Sequence, residues 1–258
     1  MLTDVERKRG NAELRRLLEQ LGTQITPDED ALQAWFAEYR HHHLDRLARD
    51  LEMLEAHVPA PAKVLEYGAI PLLLTAALQT RGYQVTGLDI GPQRFADAIR
   101  GMALDVRQCD VERETTPFEA ASFDAILFNE LFEHLRINPI FTLREVHRIL
   151  KPQGRLFIST PNLRSAKGIR NLLFKNQGHA VSAGVYRQYE KLETLGHMGH
   201  VREYTTKEVV DFLQHIGFEV EKVIYRGGDG AGLTGLVERV VPSMRPFFSL
   251  IARKRGDG

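Results

Sequence analysis

The pattern of apolar positions divides the chain into an N-terminal helical part and a longer part in which strands and helices alternate. Residues 3–21 predict a charged helix and residues 28–57 a longer one, because apolar side chains recur there at three- and four-residue steps. From residue 63 onward, short apolar runs of strand length alternate with segments of helical spacing. We therefore predict an N-terminal helical extension or lid over 1–60 and a main domain over 61–258.

The alternation in the main domain predicts a mostly parallel sheet. The predicted strands are "KVLEYG", "YQVTGLDI", "LDVRQCDV", "FDAILFN", "RLFIST", "FEVEKVIY" and "RPFFSLIAR". This order is typical of an α/β fold with a doubly wound sheet, in which ligands lie beyond the carboxyl ends of the strands. The long segment 161–204 after the fifth strand is predicted to be an insertion into this domain.

Several helix boundaries carry their own signals. Asn138 with Pro139 is typical of a helix start, and Thr205 with Glu208 has the spacing of a capping box. Pro71 is predicted to lie near the first position of the helix "PLLLTAALQTRG".

Composition changes the picture little. The 34 basic residues balance 34 acidic ones, so no overall field favours nucleic acid, and nucleic acid is disfavoured as a partner. The single cysteine, Cys109, forbids an internal disulfide and is interpreted as a buried strand residue in a reducing compartment. The start "MLTDVERKRG" is too charged for a signal peptide, and no apolar run approaches the roughly 20 residues of a membrane span. We therefore expect a cytoplasmic protein without a transmembrane segment.

The residues that follow the first four predicted strands carry the candidate binding chemistry. Asp89 lies about 20 residues beyond a glycine turn, where a carboxylate can accept both hydroxyls of a ribose. Asp110 is placed to meet the exocyclic amine of an adenine, with Val111 offering a backbone contact. The sequence thus predicts an adenosine site. The residues predicted to line it are Glu66, Tyr67, Gly68, Asp89, Ile90, Asp110, Val111 and Asn129.

Five motifs in order resemble class I S-adenosylmethionine-dependent methyltransferases. They are "VLEYGAIPLLLTAAL", "VTGLDI", "CDVE", "FDAILFNELFEHL" and "LKPQGRLFISTPN", and the resemblance covers roughly residues 60–225. The segment "HVREYTTKEVVDFLQHIGFEV" looks like the ubiquinone-biosynthesis O-methyltransferase branch. The resemblance implies a seven-stranded Rossmann-like sheet with a reversed last strand and S-adenosylmethionine as methyl donor. It also implies a substrate covered by the N-terminal helices and the segment after the fifth strand. A nicotinamide dehydrogenase would share the glycine turn but not "CDV" or the order of the later motifs.

The first loop departs from the family pattern of three glycines. Only Gly68 remains, and Ile70 and Leu72 occupy the places of the other two. Glycine there lets the backbone approach the donor and adopt positive φ. One interpretation is a working loop reshaped around Pro71. The other is a degenerate site in a non-catalytic, methyltransferase-like binding module.

The stretch "FNELFEHL" raises a second question of chemistry. Glu130, Glu133 and His134 have the spacing of one helical face at a helix start, which would place them beside the donor's methyl group. With His200, and His197 nearby, they resemble the metal site of the ubiquinone-pathway O-methyltransferases and of enzymes that methylate a terminal ribose of small RNAs. This predicts a site for Mg²⁺, Mn²⁺, Zn²⁺ or Fe²⁺. The alternative is an acidic helix start that needs no metal, with His134 or His200 as the general base.

These observations together predict an S-adenosylmethionine-dependent methyltransferase that methylates an oxygen of a small molecule or glycan with adjacent hydroxyls. An alternative acceptor is a lipid-linked quinone precursor, suggested by the excess of basic residues in 163–191.

Overall fold

A computed structural model describes residues 4–182, 184–194, 199–228 and 232–255 of the 258-residue chain. The chain forms two compact units. The first comprises Met1–Thr116 with Ser122–Ile126, and the second Pro117–Ala121 with Leu127–Gly258. Among the described residues, no helix has both the length and the apolar character needed to cross a bilayer.

Seven strands are hydrogen-bonded in the order β3-β2-β1-β4-β5-β7-β6. Their bounds are β1 Lys63–Tyr67, β2 Gln84–Asp89, β3 Asp105–Gln108, β4 Phe123–Asn129, β5 Leu150–Pro161, β6 Phe218–Arg226 and β7 Phe247–Lys254. β1 pairs with β2 and β2 with β3 in parallel, whereas β7 runs antiparallel to both β5 and β6. The predicted doubly wound, seven-stranded α/β sheet with a reversed last strand is confirmed.

In the first unit, the helices α1 Asp4–Gly22, α2 Asp30–His42 and α3 Leu44–Glu55 precede β1. Helix α4 Leu73–Thr80 connects β1 to β2, and α5 Ala96–Gly101 connects β2 to β3. In α3 the apolar residues Leu47, Leu51 and Leu54 recur every three to four positions and are all buried. In β1, Val64 and Leu65 are both fully buried, so the strand contributes both faces to the core.

The continuous helix predicted for residues 28–57 is wrong, because the structure breaks it at His43. This residue adopts φ −106° and ψ 0° between α2 and α3, and its ring lies 4.3 Å from the ring of Tyr39 between centroids. The His43 amide still donates to Tyr39 O at 3.0 Å, so the break costs little hydrogen bonding. The apolar periodicity continues on both sides of the break, which is why the pattern does not reveal it.

The second unit contains the described helices α6 Pro139–Ile149, α7 Ala166–Lys175, α8 Val185–Thr194, α9 Thr206–Ile216 and α10 Leu233–Val240. Two of them, α7 and α8, were not predicted from the sequence. The predicted insertion 161–204 contains α7 and α8, and α7 is capped by the Ser165 hydroxyl, which accepts from Gly168 N at 3.0 Å. The predicted caps are confirmed, since Asn138 caps α6 and Thr205 forms a capping box with Glu208 at α9.

Candidate functional site

The loop after β1 is folded onto the end of β2. The amides of Gly68 and Ala69 both donate to Leu88 O, at 2.8 and 3.0 Å. Gly68 adopts φ 72°, and the peptide bond between Ile70 and Pro71 is cis. Ile70 is not among the described residues with positive φ, whereas Leu72 is, with φ 73°.

The expected start of the following helix also shifts. Pro71 lies outside it, and Leu72 is the N-cap of α4, which begins at Leu73. The Leu72 amide donates to Ala69 O at 2.6 Å, and its side chain is fully buried. The loop therefore forms a tight turn with one glycine, and burial of Leu72 offsets its backbone strain.

The two predicted acidic residues lie at the ends of neighbouring strands. Asp89 accepts from Ile70 N at 3.1 Å and from Gly91 N at 2.8 Å. Asp110 accepts from Glu112 N at 3.1 Å and from Arg113 Nη1 at 3.2 Å. Carboxylate oxygens are the acceptors that a ligand's hydroxyl or amine requires.

Backbone contacts hold these two strand ends together. Cys109 N donates to Asp89 O at 2.9 Å, and Gln108 Nε2 donates to Ile90 O at 3.2 Å. Cys109 is buried, as predicted. Ile90 and Val111 are half-buried beside the two carboxylates. The structure thus brings Asp89, Ile90, Asp110 and Val111 to one end of the first unit's strands.

Glu66 and Tyr67 differ from these residues because they are buried in the core. Tyr67 is 1% exposed. Burial raises the pKa of Glu66 to about 8, opposed by a hydrogen bond from Thr75 and reinforced by the negative charges of Asp50 and Asp89. The Glu66 carboxyl accepts a hydrogen bond from the hydroxyl of Thr75.

Asn129, at the end of β4, carries an orphaned amide. Both its Oδ1 and Nδ2 are buried, and neither has a hydrogen-bond partner in the described part of the chain. Buried polar groups almost always have partners, and an unpaired one costs roughly 1–3 kcal/mol. An amide in this state is suited to a ligand with both a donor and an acceptor.

The stretch after Asn129 does not begin a long helix, so the predicted helical face is wrong. Phe132–His134 form a single 3₁₀ turn, and Glu130 precedes it with φ 51°. Glu130 N donates to Ser159 O at 2.9 Å, and Ser159 Oγ donates to Glu130 Oε1 at 2.8 Å. Arg226 Nη2 lies 3.9 Å from the same oxygen. Glu130 is thus held by β5 and β6.

Glu133, His134 and His200 converge nevertheless. Each offers a ligand atom, and these atoms all lie within 4.8 Å of one another. Glu133 is fully buried, and its Oε2 accepts from Thr160 Oγ1 at 2.9 Å. Its carbonyl oxygen accepts from Val201 N at 2.8 Å, which brings the segment of His200 to the turn. Glu130 is not part of this group, and His197 lies outside the described residues.

The two imidazoles are held by their Nδ1 atoms. His134 Nδ1 lies 3.1 Å from Gly199 O, and His200 Nδ1 lies 2.9 Å from Ser182 Oγ. The ring centroids are 4.7 Å apart, and the ring planes are nearly perpendicular. Burial lowers the pKa of His200 to about 4, with Glu203 opposing the shift and Lys191 adding to it. His200 is therefore neutral at physiological pH.

This arrangement fits a divalent cation by the chemistry of its donors. Two imidazoles and one carboxylate form a donor set typical of zinc, iron and manganese. Metal-ligating histidines usually hold their second ring nitrogen against a carbonyl or carboxylate network, as His134 and His200 do here. The supporting residues Thr160, Ser182 and Glu203 carry no recognisable sequence signal, because only the fold brings these common polar types to the group.

Known proteins that resemble this chain are methyltransferases. The chain matches the family model described as a methyltransferase domain over residues 36–223. It is 36% identical over 118 residues to the ubiquinone biosynthesis O-methyltransferase of Xanthomonas axonopodis pv. citri, covering 43% of this chain and 48% of that protein. The chain thus matches about half the length of such curated relatives.

Solved structures support the same fold. The 1,6-didemethyltoxoflavin-N1-methyltransferase of Burkholderia thailandensis, solved with S-adenosylhomocysteine, matches with a TM-score of 0.55 at 20% identity, over 90% of this chain and 95% of that one. A methyltransferase dependent on S-adenosylmethionine from Archaeoglobus fulgidus matches with a TM-score of 0.52 at 16% identity, over 80% and 94% of the two chains. The ordered motifs, the sheet order and the family match lead to one conclusion: this chain belongs to the class I S-adenosylmethionine-dependent methyltransferases.

Proposed function

We propose that this protein transfers a methyl group from S-adenosylmethionine to an oxygen of a small molecule or glycan that carries adjacent hydroxyls. The observation that carries the proposal is the convergence of Glu133, His134 and His200, whose ligand atoms lie within 4.8 Å of one another. Similarity to a protein named as a ubiquinone biosynthesis O-methyltransferase supports oxygen as the acceptor atom.

Residues of the strand ends are proposed to bind the donor. Asp89 would accept from the ribose hydroxyls, and Asp110 from the adenine amine, since both carboxylates lie at the ends of neighbouring strands, where ligands of such sheets bind. The buried, unpaired amide of Asn129 supports a ligand at the end of β4. The tight turn around Gly68 supports a working loop over a degenerate one.

Glu133, His134 and His200 are proposed to hold one divalent cation. A cation in that position would lower the pKa of an acceptor hydroxyl and so favour its reactive oxyanion. Thr160 orients the Glu133 carboxylate, and Gly199 and Ser182 orient the two rings. Burial of His200 keeps it in the neutral form that can act as a ligand.

The competing mechanism uses a histidine as general base and no cation. A good general base has a pKa near the working pH, and the pKa of His200 is lowered to about 4 by burial. His200 is therefore a weak proton acceptor. In this mechanism His134 would take the hydroxyl proton.

A second candidate acceptor is a lipid-linked quinone precursor. At the end of α7, Leu172, Leu173 and Phe174 are 58%, 69% and 82% exposed. The same helix carries Lys167, Arg170 and Lys175 and no acidic residue. Such a combination suits an acceptor with an apolar tail and negative charge. The insertion 161–204 is accordingly proposed to cover the acceptor, and residues 1–60 to cover the donor.

One assay tests the main proposal. Purified protein is incubated with radiolabelled S-adenosylmethionine and either a catechol or the matching phenol, with and without a chelator. We expect transfer to the catechol only, loss of transfer on chelation, and recovery on adding Mn²⁺ or Zn²⁺. Chelator-insensitive transfer would favour the histidine base. Absence of donor binding in calorimetry with millimolar S-adenosylhomocysteine would favour a non-catalytic module.

The lipid-linked acceptor has its own test. The catechol is compared with the same ring carrying a prenyl chain, in the wild type and in Leu173→Asp and Phe174→Asp variants. If the apolar end of α7 receives the chain, both substitutions should raise KM for the prenylated acceptor alone. Equal rates with both acceptors in all three proteins would remove this candidate.

A further inference from the structure

We infer that Ser182 and Glu203 are positioning residues that fix His200 as its Nδ1–H tautomer, which leaves Nε2 as the nitrogen with a free lone pair. The inference deepens the proposed function, because it explains how this histidine is prepared to bind a cation. It concerns residues outside the group formed by Glu133, His134 and His200.

A chain of hydrogen bonds joins Glu203, Ser182 and His200, and Glu203 fixes its direction. It is 4% exposed, and its oxygens accept from the backbone N–H groups of Ala180 at 2.5 Å, Val181 at 3.2 Å and Ser182 at 2.8 Å. An N–H group can only donate, so Oε1 and Oε2 both act as acceptors. The Ser182 hydroxyl also donates to Oε1, and its single hydrogen is therefore committed to Glu203.

The hydrogen bond from Ser182 to Glu203 determines which ring nitrogen of His200 carries the hydrogen. Ser182 Oγ lies 2.9 Å from His200 Nδ1. Having no second hydrogen to donate, the hydroxyl oxygen can only accept from the ring, so Nδ1 carries the hydrogen. A neutral imidazole carries one ring hydrogen, so with that hydrogen on Nδ1 the lone pair lies on Nε2. The amide of His200 donates to Gln188 Oε1 at 3.0 Å, which holds the main chain of the residue in place.

His134 reaches the same state by a simpler route. Its Nδ1 lies 3.1 Å from Gly199 O, and a carbonyl oxygen can only accept. In both imidazoles the hydrogen is thus placed on Nδ1. Fixing the tautomer through the other ring nitrogen is a general means of raising metal affinity. The hydrogen bonds from Glu203 and Ser182 also connect two parts of the insertion, residues 180–182 and the stretch that carries His200.

The tautomer is measured directly by nitrogen-15 NMR of the histidine rings, in metal-free protein at pH 8 with His200→Gln used for assignment. We expect the Nδ1–H pattern for His200 in the wild type and in Ser182→Thr, which keeps the hydroxyl. Ser182→Ala should shift His200 toward the Nε2–H form. Ser243→Ala is the matched control and should change nothing. An Nε2–H pattern in the wild type, or no change in Ser182→Ala, would overturn the inference.

A second measurement separates this inference from the proposed function. Titration with Co²⁺, followed by its visible absorption, should show about tenfold weaker binding in Ser182→Ala, with Ser182→Thr and Ser243→Ala unchanged. If the wild type shows the Nδ1–H tautomer but binds no Co²⁺, the cation site fails and the tautomer inference stands. Unaltered Co²⁺ affinity in Ser182→Ala, beside a wild type that binds, would contradict the positioning role.

Discussion

The hydroxyl of Thr75, on α4, donates to the buried carboxyl of Glu66, at the end of β1. Thr75 is the only hydroxyl seen to contact Glu66 in the described part of the chain, and burial still raises the pKa of the carboxyl to about 8. This carboxyl belongs to the first unit. Its protonation is therefore linked to the stability of the first unit.

We expect the free energy of unfolding to fall as the pH rises from about 4.5 to about 8. In this window the folded protein keeps the Glu66 proton that the unfolded chain has lost, so ionisation favours unfolding. Glu66→Gln should flatten the curve and gain on the order of 5 kcal/mol relative to the wild type between pH 4.5 and pH 9. Urea unfolding at several pH values measures this, with the exposed Glu114→Gln as control. Parallel curves for the wild type and Glu66→Gln would refute the assignment.

Replacement of Asp89 should weaken donor binding. We expect Asp89→Ala to cost about 1.5–3 kcal/mol, or roughly 10- to 150-fold in the dissociation constant of S-adenosylhomocysteine, because hydrogen bonds to a charged group are lost. Calorimetry measures the affinity, and thermal melting shows whether the loop still folds without the Ile70 contact. The exposed Asp97→Ala should bind normally. An affinity of Asp89→Ala within twofold of the wild type would argue against a ribose contact.

Glu130 and Glu133 should behave differently toward cations. Glu133→Gln and His134→Ala are expected to abolish bound metal and the sensitivity of transfer to chelators, while affinity for S-adenosylhomocysteine stays near the wild-type value. Glu130→Gln should keep most metal binding, because Ser159 and Arg226 engage that carboxylate. Elemental analysis of the purified variants gives the comparison. Equal metal loss in both glutamate variants would place Glu130 among the ligands.

At Leu72, glycine should destabilise the fold less than alanine does, the reverse of the usual order inside a helix. Both substitutions remove a fully buried side chain and should cost about 2–5 kcal/mol. Only glycine relieves the positive φ, so Leu72→Gly should be about 1 kcal/mol more stable than Leu72→Ala. Leu74, buried inside α4, is the matched control, and there alanine should be the more stable by a similar amount. The same order at both positions would mean that no strain is stored at Leu72.

Local sequence signals predicted those elements whose boundaries depend on local chemistry. The apolar run 123–129 is β4, and the Asn138 and Thr205 caps begin α6 and α9 as expected. The break at His43 left no trace in the pattern, because it preserves the apolar face of both helices. At the candidate site, the convergence of Glu133 with His134 and His200 was predicted from spacing and resemblance.

The supporting contacts could not be predicted in the same way. Ser182 and Glu203 are separated by 21 residues, and their contact depends on how the insertion 161–204 folds back on itself. The displacement of Glu130 has a similar origin, since Arg226 approaches it from a distant strand. Long-range polar contacts of this kind lack a periodic signal, because any exposed polar residue has the same local pattern.

The turn after β1 also bears on how such proteins are recognised. It has positive φ at Gly68 and Leu72 but not at Ile70, so the turn is formed with a single glycine. What selection has to preserve there is a sequence of dihedral angles, and more than one set of side chains can satisfy it. A genome search that requires three spaced glycines would miss this chain and any other in which a buried leucine adopts positive φ in this turn.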